Sequence, residues 1–224
     1  MSHAIHFLDT GHSDCILLES DGHFALIDAA EDTDFPADKP HLRYPGYEIE
    51  VCAYLQEHCA DENGQITLDF VLGTHCHSDH LGGFDTVIAM PNVTVTQAFL
   101  KPYHEEHIFI MERKRWDNRE VYTQMKEALE RKNVPITESF DRLTLMLGAF
   151  RITFFNGAYQ KPKRKFGENV HSVVTLVEYG KFRTVLAGDM SYKNGGEKSI
   201  AKQIGKVDIL KVGHHGYTGS TSYH

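Results

Sequence analysis

Four side chains able to bind a metal fall within one short stretch of this 224-residue chain: His75, His77, Asp79 and His80, in DFVLGTHCHSDHLGG at residues 69–83. His75 and His77 are two residues apart, so in an extended segment their rings point to the same side. Asp79 and His80 follow at once, where a turn into a helix swings them toward a second point in space. Neutral imidazole and carboxylate suit zinc, and three or four such groups complete a tetrahedral site that keeps room for water. Four are more than one ion uses comfortably, so the pattern predicts two metals. The competing reading is a His-rich surface loop, in a chain with 15 histidines. The apolar run before the cluster and the glycine pair after it weigh against that.

Such a cluster needs a strand to present it and covered layers to hold the strand. Apolar-rich runs at 3–9, 14–19 and 23–28, separated by GHSD and DG turns, predict an antiparallel meander ending at Asp28. Residues 31–47, rich in Pro and Asp, read as an ordered loop serving a site or partner. Over 47–59, Ile49, Cys52, Ala53 and Leu55 suggest an amphipathic helix packed on the first sheet. After the glycines, a short helix over 84–90 stops at Pro91, and 93–100 is β-branched and reads as one strand. The stretch 101–118, with His104, His107 and the only tryptophan, Trp116, is a candidate lid whose histidines are expected to be solvated. Asn118 is a plausible N-cap for a helix to about 133, with Val121, Met125 and Leu129 on one face and Glu127/Arg131 as an i,i+4 pair. Runs at 142–147 and 150–156 form a hairpin through Gly148. The loop 159–169 carries Lys161, Lys163, Arg164 and Lys165, a basic island.

Composition narrows the function classes. The chain is 41% apolar and 24% charged, as in a globular protein, and one domain over 1–224 is expected. A net charge of −8 argues against a general nucleic-acid binder, which needs a positive surface. No apolar run approaches membrane-spanning length and no secretion signal is visible, so the reading is cytoplasmic with no membrane partner, or extracellular if a signal was removed. Cys15, Cys52, Cys59 and Cys76 form no CxxC pair and read as buried free thiols.

The His75-x-His77-x-Asp79-His80 pattern, in its strand-then-turn setting, resembles the signature of the metallo-β-lactamase superfamily. The resemblance implies an αββα sandwich with metals at one edge, and it implies further stations along the chain. Asp28 would support the metal loop without necessarily touching metal, although a polar strand end explains it as well. His171, opening HSVVTLVEYG, would be the third nitrogen ligand of a first zinc with His75 and His77. Asp189, after the glycine of FRTVLAGDMS, would bridge two cations. His214 would join Asp79 and His80 on a second zinc while His215 faces the substrate, or the reverse. His12 and Asp14 of the GHSD turn are either supports or simple turn residues.

Within the superfamily, Asp189 together with Asp79 and His80 is similar to the dinuclear phosphodiesterase, thioesterase and lactonase branches. A redox di-iron branch has a carboxylate where His77 stands, so His77 favours hydrolysis. The flanking segments ILLESDGHFALIDAAEDTDFP, RYPG, RWDN and IGKVDILKVGHHG resemble the catalytic modules of teichoic-acid phosphorylcholine esterases. GHSD and KVGHHG also resemble the hydrolase-like domain of bacterial DNA-uptake proteins. The implied function is hydrolysis of a small-molecule or cell-wall phosphate ester with two zinc ions, or Mn or Fe in their place, with Asp79, Asp189 and His215 at the reacting centre. The alternatives are a nuclease and a catalytically silent metal-binding module. A choline-bearing substrate would want an aromatic cage, and Tyr44, Tyr103, Trp116, Tyr159 and Tyr217 are loop aromatics that could build one. Ending at His224, soon after the last ligand, the chain is expected to lack the final strands and helices of a full sandwich, and the oligomeric state is left open.

Overall fold

A computed structural model describes residues 2–162, 165–192 and 196–222. Lys163 and Arg164 of the basic island lie outside the described residues. The chain opens with the expected meander, β1 (His3–Phe7), β2 (Cys15–Ser20) and β3 (His23–Ala29), and then α1 (Glu48–Cys59). Next come β4 (Ile66–Leu68), β5 (Phe70–Gly73), the one-turn α2 (Ser78–Leu81), α3 (Phe84–Ala89), β6 (Val93–Val95) and β7 (Ala98–Leu100). Two helices, α4 (Ile110–Arg115) and α5 (Asn118–Arg131), lead to β8 (Ile136–Thr137) and the hairpin β9 (Thr144–Leu147) and β10 (Phe150–Phe155). The second half closes with β11 (Val174–Tyr179), β12 (Phe182–Leu186), α6 (Gly196–Ile204) and β13 (Ile209–Lys211).

Two sheets result, ordered β1-β2-β3-β5-β7-β8 and β13-β12-β11-β10-β9. Strand alternation builds the layers. In β2, Leu17 faces α1, α3 and α5, packing with Val51, Leu55, Phe84 and Met125. Its neighbours Ile16 and Leu18 point the other way, into the seam between the sheets with Phe70, Phe99, Ile152 and Phe154. In β11, Val177 enters that seam while Val174 and Leu176 face Ile200 and Ile204 of α6. Helices thus cover both outer faces, giving an α/β fold of the αββα type.

Pairing turns from antiparallel to parallel at the site. β3, β5, β7 and β8 run parallel, as do β12 and β13. Asp28 lies near the C-terminal end of β3, while His75, Asp189 and His214 follow the C-terminal ends of β5, β12 and β13. Chains leaving parallel strands at one edge create a crevice there.

Four local expectations differ from the structure. The run 93–100 divides: β6 pairs with β4 in a separate two-stranded sheet and only β7 joins the main one. The inner face of α1 is Val51, Leu55 and Cys59, spaced four apart, while Ile49 and Ala53 are exposed. Asn118 is the first helical residue of α5 rather than its cap, and its amide is spent on Glu112. His171 belongs to a 3-10 turn, Glu168–His171, that precedes β11 instead of opening it. Val121, Met125 and Leu129 are buried as expected, and Arg131 stands 3.6 Å from Glu127. All four cysteines are free, with Cys52 only half-buried.

Candidate metal centre

Five of the candidate residues gather around the carboxylate of a sixth, Asp189. Asp189 Oδ1 stands 3.2 Å from His80 Nε2 and 3.4 Å from His215 Nε2, and His215 Nε2 is 3.1 Å from Asp79 Oδ2. On the other oxygen, Asp189 Oδ2 is 3.8 Å from His75 Nε2, whose partner His77 Nδ1 lies 3.1 Å away. Two sets of donor atoms, Asp79/His80/Asp189/His215 and His75/His77/Asp189, each fall within 4.8 Å. Asp189 belongs to both.

The rings of His75, His77 and His80 are each turned by a hydrogen bond on the nitrogen away from Asp189. Asp28 organises two of them at once. It accepts from His80 Nδ1 at 2.7 Å, from the Thr74 amide at 2.8 Å and from the Thr74 hydroxyl at 2.8 Å. That hydroxyl is in turn 3.1 Å from His75 Nδ1. Asp28 and Ala30 both hold φ near +60° (57° and 65°), and this tight corner brings the strand end under the metal loop. Gly73 lets the loop begin, because a Cβ there would stand 2.6 Å from the Leu81 side chain.

His77 is turned by Glu112 of α4, which takes its Nε2 proton at 3.1 Å. The same carboxylate oxygen accepts from Asn118 and from the Glu168 amide. Nothing in the sequence around Glu112 marks it, since it lies 35 residues from its partner in a stretch that reads as lid. Thr74 carried a weak signal, a hydroxyl directly before the first histidine. On the C-terminal side, Asp14 faces His215 Nδ1 at 3.6 Å and pairs with Lys211. His12 instead packs edge-on against Tyr44 at the cleft.

The two adjacent histidines divide. His214 (φ 47°) and His215 (φ 48°) both occupy the left-handed region, a strained pair in a 3-10 turn. This throws His215 inward onto Asp79 and Asp189. His214 is more exposed, with Nε2 3.8 Å from Asp189 Oδ2, on the side of His75. His171 is not brought to either set. Its carbonyl accepts from the buried Lys101, and its ring stacks on Tyr159 at 5.3 Å, in a small crevice that His75 and Cys76 also line.

Burial and mutual charge move the groups of the centre in opposite directions. Burial, then the charges of His80 and His77, push the His75 imidazole well below its usual range. Burial acts in the same direction on His80, but Asp189, Asp28 and Asp79 outweigh it and hold that ring well above. Burial would likewise lower His215, yet contacts with Asp189 and Asp79 bring it to about 9. Asp189 is held far below the carboxylate range, its burial opposed by His80 and His215. Glu31, beside Ser78, is pushed up to about 9 by burial and then by the charge of Asp79.

His80 Nε2, Asp189 Oδ1 and His215 Nε2 are fully buried, and none has an aligned hydrogen-bond partner. Buried polar atoms are normally paired. Three unpaired donor atoms aimed at one point are the cradle a cation fills, so the residues fit a metal. Above them opens a cleft of ≈ 910 Å³, walled by Tyr44, Trp116 and Tyr217 and floored by Asp79, Asp189 and His215.

The profile of the metallo-beta-lactamase superfamily matches residues 8–222, and the chain belongs to that superfamily, whose members are generally metal-dependent hydrolases. Recombination protein 2 of Haemophilus influenzae is 30% identical over 177 residues, which cover 78% of this chain but only 17% of that protein. Among solved structures, a metallo-beta-lactamase-like protein of Thermotoga maritima superposes with a TM-score of 0.53 at 14% identity, covering 94% of this chain and 91% of that one. A B3 metallo-beta-lactamase with an active-site glutamic acid gives 0.55 at 14% identity, covering 94% and 75%. At such identities these two show the fold alone. No helix among the described residues is long and apolar enough to cross a membrane.

Proposed function

We propose that the centre holds two divalent metal ions, zinc by donor type, and that the chain hydrolyses a phosphate ester. The observation that carries the reading is the set of unpaired buried atoms His80 Nε2, Asp189 Oδ1 and His215 Nε2 around one carboxylate shared by two donor sets. Asp79, His80 and His215 would hold one ion and His75 and His77 the other, with Asp189 between them. His214 would stand on the second ion's side, in the role the sequence offered to His171. Two bound ions would supply a water nucleophilic near neutral pH and positive charge opposite the phosphoryl oxygens.

The chain's own residues do the rest. Asp28 and Glu112 fix which nitrogen of His75, His77 and His80 faces the centre, so no reorganisation is needed as charge develops. His214 is half-exposed at the cleft, on the side of His75. Trp116, Tyr44 and Tyr217 offer aromatic faces to the outgoing group, and no lysine or arginine is among the described residues lining the cleft. Such walls suit a quaternary ammonium better than a polyanion. Tyr103 and Tyr159 are not among them, since Tyr103 packs on Tyr122 and Tyr159 on His104.

The test joins metal content with turnover of bis-p-nitrophenyl phosphate and p-nitrophenylphosphorylcholine, for the native chain and Asp189→Ala. About two zinc ions per chain and an Asp189-dependent preference for the choline ester are expected. Metal without turnover of either ester would sink the hydrolase reading and favour a silent metal-binding module. A second reading, a nuclease, draws on the match to a recombination protein. It requires DNA cleavage with steep salt dependence.

A further inference from the structure

A second group of metal-capable side chains lies outside this centre and shares no residue with it. It sits on the 3-10 turn Glu105–His107 and the residue before it. In 3-10 geometry, residues three apart eclipse one another. His104 and His107 accordingly face each other, with ring centroids 5.6 Å apart. Glu106 reaches between them, its Oε1 3.4 Å from His104 Nδ1 and 3.9 Å from His107 Nε2. The three donor atoms lie within 4.8 Å of one another.

An independent contact sets their orientation. The Tyr159 hydroxyl, on a different loop, engages His107 Nδ1 and so leaves the Nε2 lone pair aimed at Glu106 and His104. His104 stacks on the same Tyr159 ring at 4.1 Å. His107 is largely buried, whereas the Glu106 side chain is 67% exposed, so the site opens to solvent on one side. Two imidazoles and one carboxylate with an open fourth position form a borderline donor set suited to zinc, or to copper or nickel.

We propose that His104, Glu106 and His107 form a third, mononuclear metal site, fixed by Tyr159 and separate from the Asp189 centre. The contact of Tyr159 with His107 would then tie the metal-bearing turn before α4 to the loop of Tyr159. That loop in turn stacks on His171, which accounts for the position of a histidine the main centre does not use.

The test is Zn²⁺ titration in competition with a chromophoric chelator. The native chain is compared with His104→Gln/His107→Gln, with Glu106→Gln, whose exposed side chain makes it the change least able to disturb folding, and with Tyr159→Phe and Asp189→Ala. The double variant should bind one equivalent fewer than the native chain, and Asp189→Ala should retain that equivalent. Tyr159→Phe should weaken it by roughly tenfold or more. Equal stoichiometry and affinity in the native chain, the double variant and Glu106→Gln would overturn the proposal. The equivalent lost on the double substitution is counted whether or not the Asp189 centre binds metal, so the two readings fail separately.

Discussion

The two halves of the centre are built differently. The N-terminal half, His75 to His80, is local in sequence and locked by Asp28, which by itself accepts three hydrogen bonds. The C-terminal half, Asp189, His214 and His215, comes from two strand ends, and its histidines stand on strained backbone with one support, Asp14, at ion-pair distance. The first half is held by hydrogen bonds among its own side chains. The second rests on charged contacts of Asp189 and His215 that the proposed cations would draw together. Hydrogen-bonded order thus marks the first half, while left-handed backbone occurs in both, at Asp28 and Ala30 as well as at His214 and His215.

The largest expected effect tests the residue that joins the halves. Asp189→Ala removes the shared carboxylate and should lower kcat on a phosphodiester by on the order of 10³-fold, with loss of metal seen by elemental analysis. Next, Asp28→Ala strikes the locked half. It leaves His80 and Thr74 buried without their partner and should cost roughly 3 kcal/mol in urea unfolding. An equal cost from Asp14→Ala would erase the proposed difference between the halves. Glu112→Gln, which keeps shape but weakens acceptance from His77, should reduce metal affinity by roughly tenfold while leaving the unfolding midpoint of the metal-free chain near native.

A pH profile sharpens the same contrast. Asp32, in the loop packed against the first half, is raised from 3.8 to about 8 by burial and then by Asp85 and Asp34. The folded chain therefore keeps a proton that the unfolded chain releases. Its contribution to stability declines as pH rises from 3.8 through about 8. Asp32→Asn should gain on the native chain steadily over that window in urea midpoints, and a constant difference would refute the assignment. The smallest effect is expected for His171→Ala. Lying outside both donor sets, it should change kcat/KM less than about threefold, whereas a loss as large as that of His77→Ala would return His171 to the centre.

Much of this was legible in the residues. The meander, the strand before His75 and the helix bearing Val121, Met125 and Leu129 follow from periodicity, which is a local property. Where the structure departed, a long-range contact had overridden a local one. Pairing of β6 with β4 divided a run that alone reads as one strand. The helix starts one residue early, after Asp117, so Asn118 lies inside its first turn with its amide on Glu112. Lys101 and Tyr159 drew His171 aside.

The amino-acid sequence by itself determined which groups could bind metal and that His75, His77, Asp79 and His80 must leave a strand together, because spacing along an extended segment fixes direction. Only the tertiary structure decided which distant groups complete the set. His215 turns inward and His214 outward although they are neighbours, and Glu112 reaches His77 across 35 residues. The reason is geometric: side-chain direction within an element is set by local dihedrals, but the meeting of separate strand ends is set by how the layers pack.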